Sequence, residues 1–164
     1  MRMCSVGDSV VDRYAPGTTM YPGGGAANIA VHSARFGARA SYLGVIGSDA
    51  AGRHVAAALR AEGVDLTRAR FADEPHAVTE VRLEPSGDRT FLSYQPPATT
   101  IELDDDDRAF LAGSDWLYTN YSSGVEDDVP ALAAIAPLAF DFSYKDLDYA
   151  GPLLPHVGIA AFSR

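Results

Sequence analysis

MYPGGGAANIAVHSARFG, Met20 to Gly37, sets three glycines directly ahead of a helical pattern. Ala27, Ala30, Val31 and Ala34 recur at helical spacing, Asn28, His32 and Arg35 share the opposite side, and Gly37 supplies the stop. A helix that starts at a glycine cluster offers unpaired N–H groups and the positive end of a dipole to an electron-rich group. Gly23, Gly24 and Gly25 thus fit a turn that holds phosphate or hydroxyls, and they fit an ordinary tight turn equally well.

The surroundings of this stretch narrow the choice. Met3 to Val11 reads as a short strand interrupted by Gly7 and Asp8, and Asp12 to Pro22 as a polar loop leading into the glycines. After the helix, Ser41 to Ile46 reads as a strand. The loop GSDAAG and a second helix follow, with Val55, Leu59 and Glu62 one turn apart and Gly63 at its end. Strand, loop, helix and strand in this order describe βαβ units with a largely parallel sheet, whose ligands sit beyond the carboxyl ends of the strands. Ala77 to Tyr94 differs in kind: AVTEVRL and RTFLSY alternate around the turn EPSGD and predict a β-hairpin. Two strands are marginal alone, so the hairpin packs on the main body or pairs with a strand of a second subunit. A helix over Leu103–Leu111, a strand at DWLYTN, a helix over Glu126–Ile135 and strands at Leu138–Phe142 and HVGIAAF complete the pattern.

Composition excludes several classes. At 164 residues and 47% hydrophobic content the chain supports one globular domain with a core. A net charge of -9, from 22 acidic against 13 basic residues, repels nucleic acid and anionic membrane surfaces. The single cysteine, Cys4, rules out an intrachain disulfide and reads as a buried thiol; with no signal-peptide or membrane-spanning run, the setting reads as cytoplasmic.

Individual motifs divide further. Asp104–Asp107 form an acidic run that suits either a metal or a helix start, where acids cap and complement the dipole; no calcium-loop spacing follows. The four histidines lack metal-ligand spacing. Gly23-x-Gly25-x-x-Asn28 approximates a dinucleotide fingerprint, with Asp49 as the acidic ribose partner. The segment APGTTMYP ahead of it is not a buried strand, and no Walker lysine follows. Asp12, in GDSVVD, is read at the carboxyl end of the first strand, either as an acceptor for two sugar hydroxyls or as a turn aspartate.

GDSVVD, then GGGAANIAVHSARFG, then GVIGSDAAGRHVAAALRAEGVD, in this order and spacing, resembles the amino-terminal half of the ribokinase-like (PfkB) carbohydrate kinases. The short spacer between Asp12 and Gly23, the FDFS segment Phe140–Ser143 and the LPHVGIAAFS ending look most like fructoselysine kinases. The resemblance implies a partial ribokinase-like three-layer α/β fold over residues 1–164, with a lid hairpin at about 77–94 that covers the substrate and mediates homodimerisation. It implies a sugar or sugar-amine substrate held by Asp12, Gly24, Gly25 and Asn28. Lid contacts would come from Phe91 and Tyr94, and a further contact from Tyr121.

The same resemblance marks what residues 1–164 lack. The family's G-A-G-D segment supplies an anion hole and the base for phosphoryl transfer, and it does not occur in this sequence. The resemblance therefore places no catalytic residue within the chain. The base is expected beyond Arg164, as are the N-x-x-E motif and the ATP-binding half. ATP and Mg2+ are expected for the complete enzyme and neither on residues 1–164 alone. The rival reading is a non-catalytic sugar-binding or dimerisation module.

Overall fold

The computed structural model describes residues 1–97 and 99–163; Arg164 lies outside the described residues. Five strands form one all-parallel sheet: β1 (Arg2–Val6), β4 (Arg39–Leu43), β9 (Trp116–Asn120), β10 (Leu138–Ser143) and β11 (Ile159–Phe162), in the order β11-β10-β9-β1-β4. Side chains alternate across this sheet, so neighbours in sequence enter different cores. Cys4, Val6, Leu43, Leu117, Phe140 and Phe142 pack beneath α3 (Asp105–Leu111), α4 (Val129–Ile135) and α5 (Leu147–Ala150). Tyr42 and Tyr118 face the other way, onto α1 (Gly25–Arg35) and α2 (Ala50–Ala61), where Ala26, Ala30, Val55 and Leu59 are buried. This is the three-layer ribokinase-like α/β arrangement that the sequence implied. Burial pushes the Cys4 thiol up to about 11, which keeps it protonated at neutral pH.

A second sheet stands off the first: β2 (Val10–Ala15), β3 (Thr19–Gly23), β7 (Val78–Leu83) and β8 (Arg89–Gln95), in the order β3-β2-β7-β8. Here the structure departs from the reading of the sequence. The Met3–Val11 strand is two strands in two sheets, because Gly7, at φ 132°, turns the chain out of β1. The supposed polar loop Asp12–Pro22 is the β2–β3 hairpin, antiparallel from Val10/Gly23 to Tyr14/Thr19. The predicted Ala77–Tyr94 hairpin is present as β7 and β8, and β7 pairs in parallel with β2 of the same chain, from Val11/Val78 to Ala15/Arg82. The hairpin therefore gains its missing strands locally, and Val81 is fully buried.

Ser41–Ile46 also divides, into β4 and β5 (Val45–Gly47), the latter paired with β6 (Arg70–Ala72) in a small third sheet. The acidic run resolves as a helix start. Asp104 caps α3 by accepting the Asp107 N–H at 2.7 Å, and Asp107 returns a bond to the Asp104 N–H. Asp107 is fully buried, and its carboxylate accepts from Arg68 Nε at 2.8 Å and from Arg70 at 2.6 Å. Its charge is therefore spent inside the protein.

Candidate functional site

The main sheet changes direction of winding between β1 and β9, and a cleft of about 660 Å³ opens beyond the carboxyl ends of β1, β9 and β10. Open parallel sheets bind ligands at this kind of switch point. One wall comes from the main sheet: Asp8 after β1, Asn120 and Tyr121 at the end of β9, Asp141 and Tyr144 at the end of β10. The other comes from the lid sheet: Asp12, Thr79, Arg89, Phe91 and Tyr94. Gly25, at the start of α1, lies between them.

Asp8 organises the floor. Its carboxylate accepts from Gly25 N–H at 2.9 Å, Ala26 N–H at 3.0 Å and Asn120 Nδ2 at 2.8 Å, with Ser122 Oγ at 3.2 Å; its carbonyl accepts from Ala27 N–H at 3.2 Å. The first three N–H groups of α1 are thus taken by the chain's own aspartate, a charge placed where the helix dipole favours it. Gly24 allows this closeness. It sits at φ 95°, and a Cβ there would lie 2.6 Å from Ser9 Cα and 2.9 Å from the Asp8 carbonyl oxygen. The glycine cluster seats the helix start on the Asp8–Ser9 turn.

Asp12 reaches the cleft by a different route from the one the sequence suggested. It lies within β2, opposite Tyr21 and Thr79, and therefore comes down from the lid sheet rather than from the end of the first strand. Burial raises its pKa, and the nearby Arg89 charge opposes that rise. Phe91 and Tyr94 on β8 remain 63% and 60% exposed although they line the cleft, and the Arg89 guanidinium lies 5.8 Å from the Phe91 ring centre. Tyr121 meets Tyr144 edge to face at 5.3 Å.

Of the residues singled out from sequence, the structure brings Asp12, Gly25, Phe91, Tyr94 and Tyr121 into one cleft, with Gly24 directly behind Gly25. Asn28 is not among the cleft residues. It is exposed on α1 and lines a separate depression with Pro22, Val31, His32 and Glu62. Asp8, Asn120, Asp141 and Tyr144 were missed. A usable signal existed: the rule that favoured Asp12, a polar residue where a strand ends, applies to Asp8, Asn120 and Asp141 with more force. Among the described residues no group of three or more His, Cys, Asp or Glu could hold a metal ion, and no helix is long and apolar enough to cross a membrane.

The pattern of the pfkB family carbohydrate kinases matches residues 4–150. The chain belongs to this family. Curated pfkB relatives include the fructosamine kinase FrlD of Bacillus subtilis, 36% identical over 99% of this chain and 59% of that protein. Another is the fructoselysine 6-kinase of Escherichia coli, 32% identical over 96% of this chain and 61% of that protein. This pfkB chain thus spans about three-fifths of the length of these relatives. Arabidopsis thaliana ribokinase complexed with ribose and ATP superposes with a TM-score of 0.81 at 20% identity, over 98% of this chain and 59% of that one. The 2-dehydro-3-deoxygluconokinase of Thermotoga maritima gives 0.82 at 16%, over 99% and 59%. Both likenesses bear on the fold.

Proposed function

We propose that this pfkB chain is the sugar-binding half, with its lid, of an ATP-dependent kinase that phosphorylates a hydroxyl of a fructosamine such as fructoselysine. One observation carries the reading: Asp12 from the lid sheet and Asp141 from the main sheet line the same cleft, together with the aromatic side chains of Phe91, Tyr94, Tyr121 and Tyr144. Carboxylates accept pairs of sugar hydroxyls, and aromatic faces take up C–H surface and attract a cationic amine. Among the described residues, three carboxylates against one lining cation, Arg89, give the cleft a field that on balance favours a protonated amine over an anion. The names and coverage of the two bacterial relatives support the same substrate class.

The residues present do not fit a polyphosphate. Among the described residues Arg89 is the one basic residue lining the cleft, and the first N–H groups of α1 are already bonded to Asp8. We therefore read the ATP and Mg2+ sites of the whole enzyme as lying outside residues 1–164.

Titration calorimetry of the 164-residue chain with fructoselysine tests the reading. Asp12→Ala is expected to weaken binding by roughly ten- to a hundredfold, the loss of a charged hydrogen-bond acceptor worth about 1.5–3 kcal/mol. Because burial raises the Asp12 pKa, acidification protonates it before an exposed aspartate, and affinity should begin to fall at correspondingly higher pH. Equal affinities for wild type and variant, with an unchanged circular dichroism spectrum, would remove Asp12 from the site.

Homodimerisation belongs to the same proposal. It rests on the outer strand β8, where Phe91, Leu92 and Tyr94 are exposed along an unpaired sheet edge. Light scattering is expected to give twice the chain mass for wild type and a shift toward the single-chain mass for Leu92→Lys. A monomeric wild type would exclude this mode of association.

A further inference from the structure

Lys145 is the chain's single lysine, and ring faces hold its ammonium. Nζ lies 5.3 Å from the ring centre of Tyr121, 5.5 Å from that of Tyr144 and 5.0 Å from that of Tyr149. The turn after β10 builds this arrangement. Asp141 Oδ1 accepts the Ser143 N–H at 2.7 Å, Ser143 adopts a φ of 52°, and the Lys145 N–H closes the turn on the Phe142 carbonyl at 3.0 Å. Tyr149 is fixed in turn, its hydroxyl donating to Glu126 Oε1 at 2.7 Å.

Ring faces attract a cation but satisfy none of its N–H donors. The ion pairs among the described residues do not include Lys145. Its charge thus has no carboxylate partner among the described residues, and while Lys145 does not itself line the cleft, two of the three rings that hold it, Tyr121 and Tyr144, do. Among the described residues the other cation at the cleft is Arg89, whose charge acts on Asp12, so an anion placed there would meet a carboxylate.

We infer that Lys145 is a specificity-determining residue whose ammonium receives the carboxylate of an amino acid carried by the sugar, at the Tyr121–Tyr144 side of the cleft. The inference rests on the reading of the cleft as a fructosamine site. It assigns the two ends of such a substrate to opposite charges: the sugar hydroxyls and amine to Asp12, Asp141 and the ring faces, the carboxylate to Lys145. A nucleotide phosphate is the other anion that this lysine could receive.

Two ligands that differ only in the carboxylate separate these cases: fructosyl-lysine, joined through the side-chain nitrogen, and fructosyl-cadaverine. Calorimetry on the 164-residue chain is expected to favour fructosyl-lysine by about ten- to a hundredfold, the range of a charged hydrogen bond. Lys145→Met should erase the preference and Lys145→Arg should keep it. Equal binding of the two ligands by wild type would overturn the inference. So would an equal loss for both in Lys145→Met, which marks a structural role, or a loss in ATP affinity with the sugar preference intact, which assigns the lysine to phosphate. If wild type binds neither conjugate, the reading of the cleft fails and the inference fails with it; if it binds both alike, the cleft reading survives and only the role of Lys145 is lost.

Discussion

Incubated with ATP, Mg2+ and fructoselysine, the 164-residue chain is expected to release no ADP above a sugar-free blank in a coupled assay. Phosphoryl transfer depends almost wholly on positioning and on electrostatic stabilisation of the transferring group, so a site that lacks both loses activity nearly completely rather than merely slowing. Among the described residues the cleft offers Asp8, Asp12 and Asp141 against Arg89 in its lining and Lys145 on the rings of Tyr121 and Tyr144, a net negative field that opposes a polyphosphate. Asp8, which sits at the helix start where an anion would otherwise be drawn, already takes the first α1 N–H groups. No G-A-G-D segment occurs in the sequence. A version extended over the part of the Bacillus subtilis relative outside the 59% that is matched should turn over fructoselysine. Sugar-dependent ADP release by the 164-residue chain, abolished by Asp12→Ala, would instead place the base among the residues described, with Asp141 the next residue to substitute.

Replacing Asp8 with alanine is expected to damage fold and cleft together. The variant strands the Gly25 and Ala26 N–H groups and the Asn120 side-chain amide, which all donate to this one carboxylate. Bonds to a charged acceptor contribute about 1.5–3 kcal/mol each and a lost helix cap about 0.5–2; water entering from the cleft recovers part, leaving a cost of about 2–4 kcal/mol. For a chain of this size that lowers the melting temperature by on the order of 10 °C. Asp8→Asn, which keeps one oxygen acceptor, should fall between. Thermal melts of the three proteins, followed by sugar titration below the lowest transition, measure both effects. An unaltered melting temperature in Asp8→Ala would show that the Asp8 bonds add nothing net to stability.

How much of this was legible beforehand depended on the reach of each interaction. Alternating or helical patterns a few residues long carried α1, α2, the β7–β8 hairpin and the strands β9 and β10, because the period of apolar residues records which face is buried. The β2–β3 hairpin was invisible by the same measure: Arg13, Thr19 and Tyr21 are polar or half-exposed, and the strand character of the segment comes from pairing with β7 more than sixty residues later. The glycine cluster shows the same division. Its helix was plain, but its occupant was not, since the carboxylate that fills the helix start comes from seventeen residues upstream.

The sequence by itself determined the family and the layered α/β fold, and it named most of one wall of the cleft: Asp12, Phe91, Tyr94 and, across from them, Tyr121. Those conclusions need only the order and spacing of local motifs. The tertiary structure alone decided that Asp12 belongs to the lid sheet, that Asn28 lines a separate depression, and that Asp8, Asn120, Asp141 and Tyr144 converge in the cleft. The physical reason is that parallel strands gather residues at their carboxyl ends whatever their separation along the chain. Asp8 and Asn120, 112 positions apart, share a hydrogen bond that no local pattern encodes.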